Sequence, residues 1–290
     1  MVFILEQPFT VDTIDVRYME ESLRRDLVRR PSLLTSTATN FIDSKRTTEV
    51  EPTPRSKLEE IFDRCDHDTA FVHVGLSDVN AALGEGSYET LVEILDESFD
   101  SVLAPGYTPS FKRTGIYHKD YSRPRYGMFT RLFAEDADYR TDDAIHSIFV
   151  RGDYRFDDCN HQKSFGENSC FAKLDRDNVP IIEIGTEQVS FTHLHQIEFL
   201  CDVPYIEPQS YDGVVYYDAE SHDHITQRNF QTWNKYIYSY NRVKVEQDLR
   251  DADIMDYYEP GGLKLRFTPT NDSTEYLSER IRDDPFYLVD

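Results

Sequence analysis

The sequence predicts an α/β fold, with a central mixed β-sheet flanked by helices in a single large domain. Three observations lead there. The chain has 290 residues, a length that suits one large domain with a substantial core. Short apolar runs at residues 70–74, 101–107, 148–150 and 179–185 alternate with stretches of helical character. Polar, proton-handling blocks sit beside these runs, and strand ends are where open α/β sheets place their sites.

Residues 2–5 form a short apolar run expected as an edge strand. Residues 15–29 read as an amphipathic helix with Val16, Met19, Leu23 and Leu27 on one face. Arg24, Arg25, Arg29 and Arg30 lie near its C-terminal end, where cations suit the helix dipole. Residues 35–54 are polar and closed by Pro52 and Pro54, so residues 1–53 are expected as an N-terminal extension and 54–290 as the main domain. A helix over 54–65 then leads into a buried strand at 70–74. Gly84-Glu85-Gly86-Ser87 opens a helix over 87–99, with Ser87 as its N-cap. That turn reads either as a plain cap or as a set of free amides facing an anion.

A strand over 101–107 follows. The loop at 115–126 carries Tyr117, His118, Tyr121 and Tyr126, and either covers a ligand or packs as a lid. Toward the C-terminus, residues 211–217 and 236–245 read as Tyr-rich strands. Residues 262–268 read as a half-buried strand alternating Leu263, Leu265 and Phe267, and 273–282 as a short helix.

The net charge of -23 argues against a nucleic-acid partner, because phosphate binding needs clustered Lys and Arg. There are only 9 Lys beside 22 Arg, and the acids are spread along the whole chain. This balance points to a strongly hydrated, halophile-like surface more than to a localised attraction for cations. The four cysteines show no CxxC spacing and are expected as reduced, structural thiols. The sequence shows neither a signal-peptide pattern nor an apolar run long enough to cross a bilayer, so a cytoplasmic protein without a membrane partner is expected.

Three blocks carry the chemistry. The first is Arg140-Thr141-Asp142-Asp143-Ala144-Ile145-His146-Ser147, the second Ser164-Phe165-Gly166-Glu167-Asn168-Ser169-Cys170-Phe171, and the third Thr192-His193-Leu194-His195-Gln196-Ile197-Glu198. In the second, Gly166 and a Ser169 N-cap are also what a structural turn would need. In the third, His195 and Glu198 share a helix face at three-residue spacing.

In order and spacing these blocks resemble the aminoglycoside 3-N-acetyltransferase family: an Arg, a His-Ser pair six positions on, Phe-Gly-x-x-Ser-x-Phe, an apolar strand, then Thr-x-x-His-x-x-Glu. The resemblance covers roughly residues 55–205. It implies that family's fold and acetyl transfer from acetyl-CoA to an amine of an aminoglycoside, amino sugar or related polyamine. It further implies His146 as general base, with Glu167 orienting it or holding a substrate ammonium. Gly75, Leu76, Ser77, Ser147 and Thr192 fall at cofactor-binding positions, His195 and Glu198 border the acceptor, and Glu198 counts with His146 and Glu167 among the catalytic residues. Imidazole suits the base role because it titrates near neutral pH. The family's usual His-Pro-x-His-Ser is here Asp143-Ala144-Ile145-His146-Ser147, so the first His and the Pro are missing. The family's Gly-containing turn and regular last helix are not evident after Glu198, which leaves the acceptor unassigned.

The resemblance calls for no metal. A competing reading is a zinc hydrolase built from His193, His195, His222 and His224 with Glu198, Asp218 or Asp223. Another is a catalytically silent relative that binds a sugar.

Overall fold

The computed structural model describes residues 25–26, 28–30, 33, 49–234 and 237–290. The expected strand at 2–5, most of the helix at 15–29 and the polar arm at 35–48 lie outside the described residues. Arg30 pairs with Asp284 at 2.7 Å and with Asp290 at 2.8 Å, and Leu33 is fully buried in the main core.

In chain order the elements are α1 (Arg55–Phe62), β1 (Thr69–Val74), α2 (Leu76–Leu83), α3 (Ser87–Ser98), β2 (Ser101–Pro105), α4 (Phe111–Thr114), β3 (Ile116–His118), α5 (Met128–Asp136), β4 (Tyr139–Arg140) and β5 (Ile148–Gly152). They continue with α6 (Cys170–Arg176), β6 (Pro180–Ile184), α7 (His193–Leu200), β7 (Ile206–Tyr216), β8 (His222–Thr232), α8 (Arg242–Asp251), β9 (Asp256–Tyr258), β10 (Leu265–Pro269) and α9 (Thr270–Asp283).

Seven strands form one mixed sheet in the order β4-β5-β2-β1-β6-β10-β9. Its centre, β2-β1-β6, is parallel, while β5 and β10 flank it antiparallel. Period-two alternation loads both faces. Phe71, Leu103, Val150 and Ile181 point into a core shared with α6, α7, α8 and α9. Val72, Val102, Ala104 and Ile182 point into a second core with α1, α2, α3 and α5. The result is a helix–sheet–helix sandwich. A second sheet, β3-β7-β8, carries the long β7–β8 hairpin.

Several expectations need correction. Gly75-Leu76-Ser77, expected at the cofactor, is a strand-to-helix junction, because residues 76–83 are helical from Leu76 onward. Ser87 does not cap α3; Gly86 occupies that position at φ 73°, and the Ser87 hydroxyl is committed to Asn80 Oδ1. The region expected as a strand over 236–245 is helical from Arg242, because the Asn241 side chain accepts from Lys244 N and caps α8. Strand β10 is buried on both faces: Leu265 and Phe267 sit in the second core, and Arg266 on the opposite face is covered by α8 through Glu246.

Candidate active site

The parallel strands β1, β2 and β6 end on one side of the sheet, beside the start of α7. A cleft of about 400 Å³ opens there, with Val74, Pro105, Thr186, Thr192 and Arg242 in its wall. A second lobe of about 730 Å³ lies toward the β7–β8 hairpin, lined by residues including Lys112, Tyr211, Asn229 and Trp233. His146, His195 and Tyr126 line both lobes and mark their junction. Both imidazoles pack on Phe165, with ring centroids 4.8 Å away for His146 and 5.8 Å for His195.

Helix α7 delivers His195. Glu198 follows one turn later and is almost fully buried, at 2% exposure. The His195 Nδ1–H donates to Glu198 Oε2 at 2.8 Å. The Tyr240 hydroxyl donates to the same oxygen at 2.6 Å and lies 2.5 Å from Nδ1. Burial and the adjacent Glu198 charge push the Tyr240 phenol well above its ordinary range, so it remains a donor. With Nδ1 engaged, the Nε2 of His195 is the nitrogen left for chemistry.

His146 is wired differently. Its backbone N–H donates to Asp143 Oδ1 at 2.7 Å, and that oxygen also accepts from Ile145 N and Ser164 Oγ. Burial raises the Asp143 pKa to about 6. The Asn229 amide sets the ring. Its Oδ1 accepts from Phe230 N at 2.6 Å, which leaves Nδ2 to donate to His146 Nδ1 at 3.0 Å and to Ser164 Oγ at 3.2 Å. An Nδ1 that accepts requires the proton on Nε2. Burial, followed by the nearby Lys112 charge, moves this imidazole well below its ordinary range and keeps it neutral. His146 therefore presents an N–H donor.

The other expected site residues fall in varied places. Thr192 lines the sheet-side lobe at the start of α7. Ser147 is fully buried: its hydroxyl donates to Gly106 O at 2.6 Å and accepts from Arg140 Nε at 3.1 Å, which leaves it nothing to offer a ligand. Arg140 ties this corner together through the carbonyls of Gly106, Lys119 and Ser122, with Tyr117 and Phe149 on its faces. Glu167 is exposed and lines neither lobe; Asn229 makes the contact to His146 expected of it. Ser77 is exposed and bonded to Asp78, while Gly75 and Leu76 adjoin the cleft-lining Val74 without lining either lobe. Gly75 is held by packing, because a Cβ there would sit 2.1 Å from Gly185 O.

The four histidines of the zinc reading do not converge. His193 is buried against Asp175 at 2.7 Å and Thr274 at 2.8 Å, and His195 is bound to Glu198. His222 and His224 stand exposed on β8. Among the described residues no group of three or more His, Cys, Asp or Glu is placed to hold a metal ion.

The family model for aminoglycoside 3-N-acetyltransferase matches residues 96–282, well over half of the chain. The chain belongs to the aminoglycoside 3-N-acetyltransferase family. Solved structures share its fold at low identity. AAC-IIIb in binary complex with CoASH aligns at TM-score 0.63 and 14% identity, covering 80% of this chain and 97% of that one. A mutant of AAC(3)-IVa in complex with a gentamicin aligns at 0.63 and 14%, covering 84% and 93%. The YokD protein from Bacillus subtilis aligns at 0.63 and 13%, covering 80% and 94%. No curated protein matches the chain.

Sequence reasoning missed Asn229, Tyr240, Lys112 and Arg242. Only Asn229 left a trace, in the alternating run on β8; the others carry no spacing that marks them.

Proposed function

We propose that this protein transfers an acetyl group from acetyl-CoA to an amine, with His195 as general base and His146 as hydrogen-bond donor. The observation that carries the reading is the His195–Glu198–Tyr240 cluster at the junction of two lobes, with one lobe available for each substrate.

Acetyl-CoA supplies the acetyl thioester. The sheet-side lobe suits its amide-rich arm, because His73 Nε2, a buried polar atom on a lining residue, has no hydrogen-bond partner among the described residues. Thr192 adds a hydroxyl, and Arg242 a cation for phosphate. Gly75, Leu76 and Ser77 remain candidates for the edge of this site through their neighbour Val74.

An attacking amine must be neutral and must lose a proton as its C–N bond forms. His195 Nε2 takes that proton, and buried Glu198 stabilises the imidazolium. The His146 Nε2–H donates to the carbonyl oxygen, where negative charge develops. As the C–S bond breaks, the proton on His195 passes to the departing sulfur. The base role expected from sequence at His146 is thus assigned to His195, expected only to border the acceptor, on the basis of what each Nδ1 binds. The test is mass-spectrometric detection of an acetylated amine formed with matching thiol release. Acetyl-CoA binding without acetylation of any amine would sink the proposal.

A further inference from the structure

The chain carries a net charge of -23, yet its cleft runs the other way. Among the described residues no Asp or Glu lines either lobe. Glu198 is turned into the protein and occupied by His195 and Tyr240. Each lobe instead holds a cation, Arg242 on the sheet side and Lys112 on the hairpin side.

We propose, on the transferase reading above, that the acceptor is an amine on an anionic scaffold, an amino sugar bearing a carboxylate or phosphate, with its negative group anchored by Lys112. Lys112 is half-buried, with its Nζ 5.4 Å from the Tyr211 ring, and it has no ion-pair partner among the described residues. The buried Asp143 carboxylate acts on it without forming an ion pair, so this partly desolvated ammonium remains a place for an incoming anion. Burial lowers the Lys112 pKa, and the Asp143 charge offsets this only in part. Trp233 and Tyr211 line the same lobe and supply aromatic surface against which a sugar can pack. A scaffold with several ammonium groups would find no carboxylate there and would face Lys112 directly. The same positive field favours the neutral form of the reacting amine, the form that attacks.

The experiment compares kcat/KM for four acceptors: 2-amino-2-deoxyglucose, its 6-phosphate, the corresponding uronate, and gentamicin as a polycation. Acetyl-CoA binding is followed by calorimetry in parallel. At least one anionic acceptor should exceed the parent sugar about ten-fold or more, and gentamicin should rank last. The better of the two anionic acceptors identifies the group bound. Lys112→Arg should keep the ranking, and Lys112→Glu should invert it. Gentamicin as best acceptor, or a ranking unchanged in a folded Lys112→Glu variant, overturns the inference and leaves the transferase reading standing. Absence of acetyl-CoA binding overturns both.

Discussion

Replacing Glu198 with glutamine isolates the charge behind the proposed base. The side chain is 2% exposed, and one oxygen takes both the His195 Nδ1–H at 2.8 Å and the Tyr240 hydroxyl at 2.6 Å. Glutamine is nearly isosteric. If its carbonyl occupies that position, both hydrogen bonds survive and only the charge is lost. If its NH2 does, His195 must adopt the other tautomer and present a protonated Nε2 to the amine. Either way the imidazolium loses its buried counter-charge. General-base catalysis is worth about a hundred- to ten-thousand-fold, so kcat should fall within that range, about 3–5 kcal/mol of barrier. Acetyl-CoA affinity should stay within about three-fold, because Glu198 lies beneath the cleft wall. Thiol release at saturating substrates gives kcat, and calorimetry gives the affinity. A folded Glu198→Gln protein with kcat within about three-fold of the parent would refute the assignment.

Other outcomes follow from the same geometry. Asn229→Asp replaces the donor to His146 Nδ1 with an acceptor and should cost about ten- to a hundred-fold in kcat/KM through the altered tautomer, read by the same assay. Gly166→Ala places a Cβ 2.6 Å from the Phe199 ring at φ 94°, and should cost about 2–4 kcal/mol of stability in urea denaturation. His73 is buried with its pKa lowered to about 4 from 6.5, so between these values the unfolded chain binds the extra proton and stability from this group rises with pH. About 3 kcal/mol should be lost as pH falls through that window, and His73→Phe should flatten that part of the urea-derived stability profile.

The sheet was legible because its strands are short, apolar and buried on both faces. The runs at 70–74 and 179–185 hold Phe71, Val72, Ile181 and Ile182, whose alternate side chains feed the two cores. The pairing of His195 with Glu198 was legible from helical spacing alone. The division of labour between the two histidines was not, because it turns on which group meets each Nδ1. For His146 that group is Asn229, 83 residues later on a hairpin strand. For the third member of the His195 cluster it is Tyr240, 45 residues on, in a stretch whose tyrosines suggested a strand. There the Asn241 cap and the spacing of Val245 and Leu249 prevail and make a helix. Ser147 matched a ligand-binding position, yet Arg140 and Gly106 consume its hydroxyl. Sequence spacing places a residue near a site but does not say whether its hydrogen bonds are already spent.

The most direct test compares His195→Gln with His146→Gln in acetyl-CoA-dependent amine acetylation. Glutamine cannot act as a base, but its amide can still donate a hydrogen bond. His195→Gln should lose about a hundred- to ten-thousand-fold in kcat, whereas His146→Gln should stay within about ten-fold. The reverse order, with His146→Gln inactive and His195→Gln nearly normal, would contradict the account and return the base to His146.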